Sequence, residues 1–92
     1  MNEVSLGEIM EKILVSLMVP AVEECYDILL PPFLTVEEIL DLLVKALAEI
    51  TRNRYVSSGS EVLCNAEYQI IYDKKNTIEE CRICNGDTLI II

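Results

Sequence analysis

The chain has 92 residues, of which 52% are hydrophobic and 25% are charged. This size and composition fit one compact domain, near the size at which a single hydrophobic core becomes sufficient. Sixteen acidic side chains against seven basic ones give a formal net charge of −9. Because nucleic acids and anionic membranes are themselves polyanions, this charge opposes both as partners, and we expect neither.

The sequence predicts a cytoplasmic protein. Residues 1–11 carry three glutamates and lack the cationic start of a secretory signal. No apolar run approaches the roughly 18–20 residues that a transmembrane helix needs, so direct membrane insertion is not expected. Four cysteines at irregular spacing are most simply read as reduced thiols.

The first predicted elements form a β-hairpin. Two short apolar runs, residues 13–19 and 25–30, are separated by a connection that contains proline. The first run is apolar on both faces apart from Ser16, which is typical of a central strand. In the second run alternate residues share a face, with Tyr26, Ile28 and Leu30 on one side.

A helix is predicted over residues 34–50. Thr35 and Glu38 have the spacing of a capping box, in which each side chain binds the other residue's backbone amide. Two prolines directly before this position prevent an earlier start. Apolar residues recur at three- and four-residue spacing and predict one buried face, formed by Val36, Ile39, Leu40, Leu43, Leu47 and Ile50.

The rest of the chain predicts short strands joined by turns. Residues 52–60 are polar and turn-rich, 61–65 and 69–72 are predicted strands, 77–81 form one capped helical turn, and 89–92 form a closing strand. The order β-β-α-β-β-β, with the last strand returning beside the first, indicates an α+β fold of the β-grasp type. We assign residues 12–92 to this domain and residues 1–11 to an N-terminal extension, either a short helix or disordered.

Four stretches carry a family resemblance, namely Tyr26-Asp-Ile-Leu-Leu-Pro31, Leu34-Thr-Val-Glu-Glu-Ile39, Tyr72-Asp-Lys-Lys-Asn-Thr-Ile78 and Cys81-Arg-Ile-Cys-Asn-Gly-Asp-Thr-Leu89. From about residue 12 onward the chain resembles ubiquitin-like domains. Within that superfamily it is most similar to the bacterial YukD-like proteins of type VII secretion loci. The resemblance implies a protein-protein interaction module, as an adaptor or regulatory component of such a secretion system.

Ubiquitin and the related sulfur carriers act through a C-terminal diglycine, whereas here Ile92 closes a predicted strand with no glycine nearby. We therefore expect a module that is not conjugated. The alternative is a sulfur carrier or modifier whose C-terminus is truncated in this sequence.

No catalytic residue and no cofactor is predicted. The sequence lacks histidine, a serine nucleophile elbow and a glycine-rich phosphate loop, so common acid-base and phosphoryl-transfer sites cannot be assembled. The paired glutamates are explained by helix starts or solvated loops.

The Cys81-x-x-Cys84 spacing leaves a metal or thiol-redox protein as a further alternative. A structural zinc site normally takes four ligands, and the remaining cysteines are isolated. We interpret Cys81 as a buried support for the helical turn and Cys84 as a surface thiol, and predict no metal site.

The following Asn85-Gly86-Asp87 reads as a tight turn, in which Asn and Gly tolerate positive φ, or as an acidic loop tip that meets a partner.

Apolar residues on the outer face of the sheet give the strongest functional prediction. If Val15, Leu17 and Val19 point inward, then Leu14 and Met18 point outward, and the closing strand is apolar on both faces. We expect this outer face to bind a protein partner, including a second copy, or to be covered by residues 1–11. The predicted partner-binding residues are Leu14, Met18, Leu63, Ile90 and Ile92.

Overall fold

A computed structural model of the protein describes residues 12–92. The predictions for residues 1–11 lie outside this part of the chain. The predicted β-β-α-β-β-β order is confirmed, with a 3₁₀ turn at Pro20–Val22 between the first two strands. The elements are β1 (Ile13–Val19), β2 (Glu24–Leu30), α1 (Val36–Ile50), β3 (Leu63–Asn65), β4 (Ile70–Ile71) and β5 (Thr88–Ile91).

The five strands form one mixed sheet in the order β2-β1-β5-β3-β4. The hairpin pairs β1 with β2 in antiparallel fashion, and β5 returns to pair with β1 in parallel. Both the central position of β1 and the return of the last strand are thus confirmed. The arrangement is that of a β-grasp.

The core lies between α1 and one face of the sheet. Val15, Leu17 and Val19 are buried, as the alternation of β1 predicts. Five of the six predicted helix positions are also buried, namely Val36, Ile39, Leu40, Leu43 and Leu47. The prediction was wrong for Ile50, which is 57% exposed. Ile50 is the last residue of α1, and the chain turns away directly after it through positive φ angles at Arg52 and Asn53.

Two capping boxes fix the start of α1 and the turn that begins at Thr77. Thr35 Oγ1 accepts a hydrogen bond from the Glu38 amide at 3.2 Å, and a Glu38 carboxylate oxygen accepts from the Thr35 amide at 3.0 Å. Thr77 and Glu80 repeat this exchange before Cys81. The two capped segments also bond to each other through a bridge between Thr35 and Thr77. The predicted caps are confirmed, and each supports the other.

The connection after α1 contributes to the core, which its polar sequence did not predict. Tyr55 is buried with the core residues. Its hydroxyl donates to the Glu61 carboxylate at 2.9 Å, and the same carboxylate accepts from Ser57 Oγ at 3.0 Å and from the Ser58 amide at 2.9 Å. One buried carboxylate therefore organises the loop that leads into β3.

These contacts shift two pKa values. Burial of Glu61 by itself raises the carboxyl pKa, but the hydrogen bonds from Ser57, Ser58 and Tyr55 outweigh it, and the pKa of Glu61 lies below its ordinary value of 4.5. Burial, together with the bond to Glu61, raises the pKa of Tyr55 to about 12. Tyr55 therefore stays a hydrogen-bond donor at neutral pH.

We predict that Glu61→Gln lowers the free energy of unfolding by about 1–3 kcal/mol at pH 7, since it removes hydrogen bonds to a charged group. Because the folded pKa of Glu61 is lowered, the contribution of the charge is fully present above the unfolded pKa and is lost as the pH falls through the folded pKa. Urea unfolding of both proteins between pH 7 and pH 3 measures this. A stability difference that stays constant over that range would contradict the assignment.

Leu63 was predicted to lie on the outer face, and this prediction was wrong. Leu63 pairs with Ile91, points toward α1 and is 0% exposed. The pairing of β3 with β5 sets which residues of β3 point inward, and a strand of three residues is too short for its own alternation to reveal this.

The two leucines of the predicted face should therefore behave differently. We expect Leu63→Ala to lower the free energy of unfolding by about 2–5 kcal/mol, because it leaves a cavity in the core. Leu14→Ala, at a side chain that is 48% exposed, should lower it by less than about 1 kcal/mol. Chemical denaturation of the two variants tests the inward orientation of Leu63. Equal losses of unfolding free energy in the two variants would refute that orientation.

Candidate protein-binding face

A row of apolar side chains crosses the sheet on the face opposite α1. Strand pairing joins Cys25 to Met18, Met18 to Ile90, Ile90 to Cys64, and Cys64 to Ile71. We call these five residues the outer apolar row. It takes one residue from each strand and has no charged member.

The outer apolar row crosses all five strands and has a defined length. Neighbouring strands lie about 4.8 Å apart, so five strands carry the row over about 19 Å. Met18 is 40% exposed and Ile71 is 66% exposed. Ile90 is half-buried between them and Cys64 is buried. The exposed members therefore lie on both sides of the less exposed pair Ile90 and Cys64. Together the five residues form a shallow apolar platform.

The structure brings four of the predicted residues to this side of the sheet. Leu14 and Met18 are exposed members of β1, and Ile90 lies in the middle of the row. Ile92 follows Ile90 by two positions, is 65% exposed, and exchanges two backbone hydrogen bonds with Val62. Of the predicted set, Leu63 alone points to the core.

Leu14 is separated from the row by a polar band. Ser16 pairs with Asp27 on one side and with Thr88 on the other. Ser16 Oγ donates to the Asp27 carboxylate at 3.4 Å. Beyond this band Leu14 pairs with Leu29, and both are exposed. The outer face thus alternates between apolar and polar bands along the strands.

Sequence reasoning missed Cys25, Cys64 and Ile71 as members of the row. The alternation of β2 did place Cys25 on the outer side, and that signal could have included it. Cys64 and Ile71 were hidden because β3 and β4 have three and two residues. In strands this short, pairing with the neighbouring strand determines which side chains point to each face of the sheet.

The Asn85-Gly86-Asp87 turn anchors the Leu14 end of the face. Asn85 Oδ1 accepts from the Leu14 amide at 2.8 Å, the Leu14 carbonyl accepts from the Gly86 amide at 2.8 Å, and the Ser16 amide donates to the Asp87 carbonyl at 3.0 Å. Gly86 has the expected positive φ of 88°. Asn85 does not share it, and contributes its side chain instead. The turn thereby continues the pairing of β5 alongside β1.

Two shallow pockets lie at the opposite end of the sheet, around the 3₁₀ turn. One has a volume of about 340 Å³ and is lined by Met18, Cys25 and Glu23 among others. The other, of about 410 Å³, is formed by Pro20, Ala21, Val56 and Ile92 with their neighbours. They extend the apolar surface from the row around the end of the sheet.

The same architecture occurs in solved structures. The ubiquitin-like domain of EccD1, a type VII secretion protein of Mycobacterium tuberculosis, matches with a TM-score of 0.70 at 14% identity, over 90% of this chain and 99% of that one. The EccD5 ubiquitin-like domain of Mycobacterium xenopi gives a TM-score of 0.75 at 16% identity, over 89% and 93%.

The chain has the ubiquitin-like fold. A chain of the MycP5-free ESX-5 inner membrane complex also matches this chain, with a TM-score of 0.75 at 19% identity, over 89% of this chain and 21% of that one. No protein-family model and no curated protein matches by sequence. The likeness to ubiquitin-like domains, those of EccD proteins among them, is the likeness that the sequence motifs predicted.

None of the described helices is long and apolar enough to cross a membrane. The described residues form a second apolar surface, a groove of about 280 Å³ between β2 and α1. Its lining includes Leu29 and Leu42, and both are exposed. This groove was not predicted, because it depends on how β2 packs beside the helix.

The four cysteines are free and differ in exposure. Cys81 is half-buried against the core, and burial raises the pKa of its thiol. Cys84 is exposed, with its thiol bonded to the Arg82 carbonyl at 3.3 Å. These positions agree with the interpretation of a supporting and a surface thiol. Among residues 12–92, no three His, Cys, Asp or Glu side chains are placed to hold a metal ion.

We predict that a thiol reagent modifies Cys25 and Cys84 rapidly in the folded protein, because both are exposed. Cys64 and Cys81 should react only after unfolding, since burial limits access and a raised pKa lowers the thiolate fraction of Cys81. Timed alkylation followed by peptide mass spectrometry assigns each site. Protection of Cys25 with rapid reaction of Cys84 would show that the outer face is covered.

Proposed function

We propose that this ubiquitin-like domain is a non-conjugated interaction module. It binds a protein partner through the outer apolar row and acts in the cytoplasm as an adaptor or regulatory component of a type VII secretion system. The observation that carries the proposal is the unbroken apolar row across all five strands.

The physical argument rests on the cost of leaving apolar surface in water. Met18, Ile71 and Ile92 expose large parts of their side chains, and Ile90 joins them across the central strands. Exposed apolar patches of this kind usually mark contacts with other proteins. A rigid sheet also presents the side chains at fixed spacing, which reduces the entropy lost on binding.

The secretion assignment is supported by the likeness to EccD ubiquitin-like domains, one of which matches with a TM-score of 0.75. A further match belongs to a chain of the ESX-5 inner membrane complex. A binding role rather than catalysis agrees with the lack of histidine and with a face whose row holds only apolar and thiol side chains. The free cysteines are compatible with a reducing cytoplasm.

The test is a double substitution on the outer face. We expect Ile90→Glu with Ile92→Glu to abolish co-purification of secretion components with the tagged protein from its own cells, because two charges would have to be buried at the contact. Phe33→Glu with Ile50→Glu is the matched control, since both are exposed apolar residues that lie outside the strands. It should leave co-purification unchanged.

Circular dichroism and thermal unfolding should show that both double variants fold. An unchanged set of partners and an unchanged complex size for the Ile90 and Ile92 variant would refute the proposed face. Deletion of residues 1–11 tests the remaining alternative. If that segment covers the face, its deletion will increase both partner binding and the alkylation rate of Cys25.

A further inference from the structure

We infer that the outer face selects a protein partner with lysine or arginine side chains beside an apolar anchor, and does not bind a second copy of this chain. This inference rests on the proposed function and specifies its partner.

The strands that form the face carry no cation. None of the five strands includes a lysine or an arginine. All seven basic residues of the chain lie outside the strands, at Lys12, Lys45, Arg52, Arg54, Lys74, Lys75 and Arg82. A partner that docks on the outer apolar row therefore meets no positive side chain from the sheet.

Two carboxylates lie beside the row instead. Asp27 stands in the polar band, two residues along β2 from Cys25 and on the same face of the sheet. Glu23 lines the pocket that Met18 and Cys25 also line. Both are exposed, and neither belongs to the one ion pair found within residues 12–92, which joins Arg54 to Glu24 at 3.0 Å. Their charges are thus available to a partner.

Electrostatics then separates the possible partners. The net charge of −9 attracts a cationic protein and repels an acidic one, mainly through the association rate. Two copies of this chain would each carry the net charge of −9. If they met through the outer face, Asp27 and Glu23 of one copy would lie near Asp27 and Glu23 of the other. Like charges at an interface cost free energy, so the face disfavours self-association.

Two synthetic amphipathic peptides of 14 residues provide the probe. Both peptides have leucine at the same positions. One peptide has lysine at every polar position, and the other has glutamate. Fluorescence anisotropy with the full chain should show that the lysine peptide binds and the glutamate peptide does not. Ile90→Ser should weaken the lysine peptide by about tenfold, because it removes the apolar anchor.

A charge-matched pair of variants locates the effect. We expect Glu23→Gln with Asp27→Asn to weaken the lysine peptide by roughly three- to tenfold, since each exposed charge contributes a fraction of a kcal/mol or more. Asp41→Asn with Glu49→Gln makes the same change in net charge on exposed positions of α1, and should weaken it less than about twofold.

If the two charge variants weakened binding of the lysine peptide equally, or if both peptides bound equally well, the inference would be overturned. The proposed function would still be supported by a loss of binding in Ile90→Ser. No effect of Ile90→Ser would instead refute the face itself. Sedimentation velocity completes the test, with a monomer expected at both low and high salt. A dimer that Ile90→Ser dissociates would identify the second copy as the occupant and overturn the inference.

Discussion

The parallel pairing of β1 with β5 is the constraint on which the rest of this structure depends. Leu17 and Leu89 pair across it and are fully buried under α1. The same three residue pairs join the N-terminal hairpin to the short strands β3 and β4. Without this contact the hairpin and the second half of the sheet would have no shared core.

Strand alternation links the core to the outer face. Because successive side chains point to opposite sides, the register that buries Leu17 against Leu89 also places Met18 beside Ile90. The backbone positions of the outer apolar row are therefore set by the same strand register as the core. The position of the row needs no dedicated loop, and its shape is set by backbone hydrogen bonds rather than by mobile side chains.

The elements that could be predicted from the sequence are those with strong local signals. The Thr35 to Glu38 capping box, the alternation of β1 and the Gly86 turn each determine structure within a few residues, and all three were found. The outward position of Leu14 and Met18 follows from β1 in the same way.

The remaining features depend on contacts between distant segments. Leu63 points inward rather than outward because its pairing with β5 determines which residues of β3 face the core. Tyr55 enters the core because Glu61 binds its hydroxyl, which a polar loop sequence does not indicate. Ile50 continues the helical pattern but lies where the chain has already begun to turn away. Periodicity cannot supply this information.

The distance along the chain between β1 and β5 has a consequence for biosynthesis. Proteins dominated by contacts between remote segments fold slowly, since a long loop must close before those contacts form. During translation the hairpin emerges first, with the inner face of β1 bare. Leu17 gains its neighbour Leu89 only after almost all of the described chain has been made. The domain therefore cannot complete its fold until β5 has been made, and until then the inner face of β1 lacks its partner strand.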